Sequence, residues 1–214
     1  MIDEAAVAER LAALRATIAN EQQRGEVTLC AVTKGFDASA WRLAKRLGCV
    51  AIGENYAQDV VRKHAEVGDD HPPVHFIGRL QTNKVRSLAP IVAVWQSVDR
   101  AALVAEIAKR APGACIYVQV NATGEPEKGG CAADEAGELV AQARDTGLVV
   151  EGLMTVGPTD TDPERTRAAF AAVRRHADEL GLYGCSMGMT GDLTIALAEG
   201  STLVRIGTAL FGPR

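Results

Sequence analysis

The stretch VTLCAVTK, residues 27–34, sets a short apolar run, Leu29 to Val32, against a lysine at its end, and a glycine follows. A short apolar run closed by glycine reads as a buried strand. The cation at its tip has two readings. Lys34 reaches solvent there, as most lysines do, or it is an amine held in a pocket for carbonyl chemistry. The rest of the chain decides between them.

Runs of the same kind recur at 49–54 (CVAIGE), 74–78 (VHFIG), 92–98 (VAVWQSV), 115–121 (CIYVQVN), 149–156 (VVEGLMTV), 183–187 (YGCSM) and 203–210 (LVRIGTAL), which makes eight strands in all. Helix signals lie between them. Asp37 and Ser39 precede AWRLAKRLG, Asp99 precedes RAALVAEIAKR, and Asp162-Pro163 opens a face of Phe170, Val173, Ala177 and Leu180. Ahead of the first strand, Val7, Leu11, Leu14 and Ile18 recur at helical spacing and predict an amphipathic helix over 3–24. Strands that alternate with helices imply a parallel sheet under helices, and eight such units predict a closed (β/α)8 TIM barrel, α/β in class. The expectation is one domain over 1–214 with an extra N-terminal helix. The sequence ends just after the eighth strand, so the eighth covering helix is expected to be missing and the N-terminal helix to take its place. An open doubly wound sheet is the alternative, disfavoured because no G-x-G-x-x-G follows any strand.

Composition narrows the function. The 214 residues are 47% hydrophobic, ample for a core, with a net charge of -4 and 4% aromatics. With no Lys/Arg block there is neither a phosphate-tracking stripe nor a stacking platform, so nucleic acid is set aside as a partner. The five cysteines have no C-x-x-C spacing and mostly sit in apolar runs. They read as buried thiols in a reducing compartment, with no disulfide or metal framework. Charges at Glu4, Glu9, Arg10 and Arg15 break up the N-terminus, and no run approaches the ~20 apolar residues of a membrane helix. A cytoplasmic protein with no membrane partner is expected.

In a barrel of this kind, functional groups gather at the C-terminal ends of the strands, and the loops after strands 7 and 8 commonly hold a phosphate. Lys34 ends strand 1, whose neighbour on closure is strand 8. Ser186 and Gly188 after strand 7, with Gly207 and Thr208 after strand 8, offer hydroxyls and small residues that let backbone amides approach oxygen. Arg205, inside the run TLVRIG, either lies outward under a helix or enters the barrel mouth, where a guanidinium needs a partner. An amine, a phosphate cradle and an arginine at ring distance together describe a site for pyridoxal 5′-phosphate (PLP). The amine must be tuned. At a reference pKa of ~10.4 only about 4 in 10,000 lysines are neutral at pH 7, and tuning to ~7–8 takes about 4 kcal/mol.

Seven segments in order then resemble one family: AVTK (31–34), GENY.Q (53–58), HFIG.LQ.NK (75–84), VN...E..K.G (120–130), GLM (152–154), SMGM (186–189) and RIGTALFG (205–212). The chain resembles the pyridoxal phosphate homeostasis proteins, the YggS/PROSC family, over its whole length. The resemblance implies a fold-type III PLP barrel like the N-terminal domain of alanine racemase, with PLP as the cofactor. By it, Lys34 matches the Schiff-base lysine, Arg205 the arginine facing the pyridine nitrogen, Ser186, Gly207 and Thr208 the phosphate binders, and Asn55 a residue lining the pocket. The sequence departs from the family at Gly35-Phe36-Asp37 and at Thr190-Gly191, both on the pocket rim.

The expected function is PLP homeostasis, that is, buffering the cofactor or delivering it to PLP-dependent apoenzymes, with an indirect effect on amino-acid and keto-acid balance. A monomer without efficient turnover is expected. Racemases of this fold need a second acid/base from a C-terminal β-domain, and the sequence stops at Arg214. An arginine at the pyridine nitrogen also weakens the ring as an electron sink. The alternatives are a low-activity PLP-dependent amino-acid racemase or decarboxylase, and a Schiff-base aldolase. His75 reads as a satisfied strand histidine and Lys84 as a solvated helix-start cation, with a ligand surface as the competing reading. The NATGEPEKGG loop (121–130) has the composition of an ordinary turn.

Overall fold

The eight apolar runs become eight strands: β1 (Thr28–Val32), β2 (Ala51–Glu54), β3 (Val74–Phe76), β4 (Val92–Val98), β5 (Cys115–Gln119), β6 (Val149–Met154), β7 (Gly184–Ser186) and β8 (Leu203–Ile206). In this computed structural model, which describes residues 2–213, each strand pairs parallel with the next and β8 pairs with β1, closing the barrel. The closing register sets Cys30 opposite Arg205 on one side and opposite Ala51 on the other. Helices cover the outside: α1 (Glu4–Glu21), α2 (Ser39–Arg46), α3 (Ala57–Val67), α4 (Thr82–Leu88), α5 (Ala101–Arg110), α6 (Ala136–Asp145), α7 (Pro163–Glu179), α8 (Leu193–Ala198) and α9 (Thr208–Phe211).

Local chemistry accounts for several boundaries. Asp3 caps α1 by accepting from the Ala6 amide, and Asp162 caps α7 by accepting from the Arg165 amide, with Pro163 at the first helical position. Asp37 accepts from the Ser39 amide at the start of α2. Asp99 does not cap α5 as its position suggests. It pairs with Arg100, which occupies the cap position but makes no side-chain capping bond.

Two expectations about extent need correction. Strand 1 stops at Val32, so Lys34 stands in the following turn. Strand 8 stops at Ile206, and Thr208–Phe211 is helical. A single turn, α9, follows β8, and α1 packs against both it and α8, as expected of a helix that fills the eighth place.

Alternation along each strand sorts side chains into two cores. Between barrel and helices lies the larger one, which includes Trp41, Ile52, Phe76, Trp95, Ile116, Leu153, Phe170 and Val204. Inside the barrel, Cys30, Ala51, Tyr117, Met154 and Leu203 form a smaller cluster. The Tyr117 ring fits there because Gly184 faces it. A Cβ on Gly184 would lie 2.9 Å from Tyr117 Cε1 and 2.5 Å from the Glu151 carbonyl oxygen. Burial pushes the Cys30 thiol up to about 12, so it is an inert wall of this interior. Among the described residues no helix is long and apolar enough to cross a membrane, and no cluster of His, Cys, Asp or Glu is placed to hold a metal.

Candidate functional site

Lys34 projects from a tight turn at the C-terminal end of β1. The Thr33 carbonyl accepts from the Phe36 amide at 3.2 Å, and Gly35, with φ +80°, takes the left-handed position that a type II turn requires of its third residue. Thr33 still belongs to the sheet through its amide, which donates to the Gly53 carbonyl. Lys34 is thus one residue beyond a fixed ladder, half-buried, on a corner with little freedom.

Its side chain lines a cavity of about 300 Å³ at the barrel mouth, with Val32, Ile77, Met189, Thr190, Gly191, Arg205, Gly207 and Thr208. Larger cavities of about 370 and 450 Å³ lie elsewhere, but no lysine lines either among the described residues. Chemistry and not volume therefore selects the site. A volume near 300 Å³ is at the small end of the range for cofactor pockets.

Arg205 enters the barrel mouth, which resolves the two readings of its position. It is 3% exposed. Its Nη1 donates to the Ser186 carbonyl at 2.7 Å and to Ser186 Oγ at 2.6 Å, and its Nη2 donates to the Thr155 carbonyl at 2.7 Å. These bonds fix the guanidinium plane. Burial pushes its pKa down to about 10, so the group is still a cation at neutral pH.

Ser186 closes β7 and is fully buried. Its hydroxyl donates to Gln96 Oε1 at 2.6 Å and accepts from Arg205, and it is not among the residues lining the cavity. The Gln96 amide in turn donates to His75 Nδ1 at 2.7 Å. A chain of four side chains, Arg205–Ser186–Gln96–His75, therefore crosses the barrel interior from β8 to β3. Burial lowers the His75 pKa to about 4, which keeps it neutral and able to accept at Nδ1. The satisfied-histidine reading describes it well, although its partner, Gln96, carries no signal in sequence.

After β8, Gly207 occupies the N-cap of α9 and Thr208 begins it. Thr190 Oγ1 accepts from the Ala209 amide at 3.3 Å, which brings the loop after β7 onto the start of this helix. Thr190, Gly191, Gly207 and Thr208 thus share one side of the cavity. Thr190 is the residue that sequence reasoning passed over, although its place directly after SMGM marked it as a departure on the rim. Asn55 follows β2, beside the strand that leads to Lys34. Its Oδ1 is buried without a hydrogen-bond partner among the described residues, but it is not among those lining the cavity. Gly78 makes its approach possible, since a Cβ there would meet the Asn55 carbonyl oxygen at 2.0 Å.

Residues 2–214 match the family described as alanine racemase, N-terminal domain. A pyridoxal phosphate homeostasis protein of Pseudomonas aeruginosa is 37% identical, over 97% of this chain and 96% of that protein. One from Aquifex aeolicus is 41% identical over 78% of each. Among solved structures, PipY of Synechococcus elongatus with PLP bound superposes with a TM-score of 0.86 at 33% identity, covering 96% of this chain and 100% of that one.

Proposed function

Because the chain belongs to the alanine racemase N-terminal domain family and, within it, to the pyridoxal phosphate homeostasis proteins, we propose that it binds PLP covalently through Lys34 and buffers or delivers it. The observation that carries this reading is one cavity lined by an amine, a buried guanidinium and a wall of two threonines and two glycines.

The residues fit the group. When bound, PLP supplies an aldehyde carbon that combines with a primary amine and a ring that draws electrons from an attached carbon. Lys34 Nζ is the amine, and it acts after giving up its proton. The hydroxyls of Thr190 and Thr208 and the backbone at Gly191 and Gly207, which line the cavity, would hold the phosphate oxygens. Ser186 acts on the other side, holding Arg205 in place. Arg205 would offer the ring nitrogen a donor that stays charged and keeps its proton. The unpartnered Asn55 Oδ1 is a further acceptor beside the Lys34 strand.

The same arrangement favours a carrier over a catalyst. The described residues lining the cavity include two ionisable side chains, Lys34 and Arg205, one assigned to attachment and the other to the ring nitrogen. Proton transfer at a substrate carbon needs a positioned acid or base, worth about 10²–10⁴-fold. A ring nitrogen left unprotonated also weakens the electron sink. Apoenzymes that require PLP are the recipients this reading implies.

Two measurements test it. Thr208→Ala is expected to weaken PLP retention by roughly ten- to a hundred-fold while the chain stays folded, the effect of one lost hydrogen bond to a charged group. An unchanged dissociation constant would move the phosphate elsewhere. Turnover of a panel of L- and D-amino acids, read as Cα deuterium exchange, is expected to stay far below the ~10 s⁻¹ median of enzymes. A rate near that value, abolished by Lys34→Ala, would replace the carrier with a racemase or decarboxylase.

A further inference from the structure

We propose that Lys63 is a positioning residue for Lys34, acting through the turn that carries it, and that Glu54 holds Lys63 in place; the inference rests on Lys34 being the attachment amine.

Beneath that turn lies a cluster whose members are not among the residues lining the cavity. Lys63, on α3, is 0% exposed, as are Glu54 at the end of β2, Thr33 and Trp41 on α2. Lys63 Nζ lies 2.6 Å from Glu54 Oε1 and donates to the Thr33 carbonyl at 2.8 Å. Glu54 Oε1 also accepts from Thr33 Oγ1 at 2.6 Å and from Trp41 Nε1 at 2.9 Å.

The Thr33 carbonyl belongs to the peptide that joins Thr33 to Lys34, and it also closes the turn by accepting from the Phe36 amide. One oxygen therefore receives the turn's own bond and a buried ammonium. The ammonium cannot swing away, because Glu54 anchors it, and Glu54 is anchored by two further donors. The orientation of the Lys34 backbone is thus set from behind by α3.

Stability alone does not account for such a cluster. Apolar residues of the same volume commonly replace a buried ion pair without loss. This pair spends a hydrogen bond on the carbonyl directly before Lys34, where an apolar substitute would leave the turn held by Phe36 alone. Its neutrality also matters. A cation alone would repel the Lys34 ammonium, whereas a lone Glu54 anion would favour that ammonium and oppose attachment. The pair clamps the turn while doing neither.

The test compares PLP with pyridoxine 5′-phosphate, which shares the ring and phosphate but lacks the aldehyde. In Lys63→Met/Glu54→Gln, which removes the clamp without leaving a buried charge, PLP affinity and the visible band of attached cofactor are expected to fall. The drop in affinity should be at least about tenfold, the worth of one charge-assisted hydrogen bond. Affinity for pyridoxine 5′-phosphate is expected to hold, and the Phe36 amide to exchange faster even without ligand. Equal loss for both ligands, or unchanged PLP affinity, overturns the proposal. If the double variant does not fold, Lys63→Gln/Glu54→Gln keeps an amide pair in the buried site and is judged by the same ratio. Wild-type protein that binds both ligands equally and attaches neither overturns the reading of Lys34 itself, and the clamp with it.

Discussion

Lys34→Ala is expected to abolish the yellow band of the PLP-loaded protein and to leave the cofactor exchangeable by dialysis. Among the described residues, Lys34 is the lysine that lines the cavity with Arg205, Thr190 and Thr208. Other lysines are placed for other work. Lys45 pairs with Asp70 on the surface, Lys128 lies by Glu125 on the loop after β5, and Lys63 is buried behind the turn. Alanine at 34 removes the amine and leaves the ladder bond at Thr33 intact, so the barrel is expected to keep its melting temperature. Borohydride reduction of the wild type should place the reduced adduct on Lys34. A variant that keeps the band, or an adduct on another lysine, would overturn the assignment. The variant should still bind pyridoxine 5′-phosphate, because the threonine wall and Arg205 are unchanged. That separates loss of the covalent link from loss of the pocket.

The barrel was legible because a parallel sheet covered by helices buries most of both faces of its strands, so most strands read as apolar runs and the helices between supply the count. Strand ends were not legible. The pattern LVRIGTAL gives no sign that ladder bonding stops at Ile206, since Thr208 to Phe211 are as apolar as the strand and change conformation at Gly207. Lys34 was found by asking why a cation ends an apolar run. The same question put to Glu54, which ends the run CVAIGE, finds a fully buried charge, but its partner Lys63 sits on a helix where a lysine reads as solvated. Ser186 shows the limit of residue type. A hydroxyl at a strand end advertises a donor, whereas what it meets depends on Gln96, whose oxygen accepts from it, and on Arg205, which donates to it, contributed by strands 90 and 19 residues away.

Glu54→Ala is expected to destabilise the fold far more than Lys34→Ala or Thr208→Ala. It removes the acceptor from three donors at once, Lys63 Nζ, Trp41 Nε1 and Thr33 Oγ1, at a site with no solvent access. Two neutral donors lose a bond, but the ammonium dominates, since it is left buried without its counter-ion. Breaking one partner of a buried pair costs about 3–5 kcal/mol. For a chain of this size each kcal/mol lowers Tm by about 2–4 °C, so thermal unfolding should move down by roughly 6–20 °C. That is a large share of a total stability of about 5–15 kcal/mol. The neutral double variant Lys63→Met/Glu54→Gln should recover most of the loss, because it buries no charge. A drop for Glu54→Ala no larger than that of the double variant would mean that the pair's charge is already compensated by the surrounding fold. Full recovery of Tm in the double variant together with impaired PLP attachment would separate the two roles of the pair, leaving stability to charge balance and the aim of Lys34 to the bond on the Thr33 carbonyl.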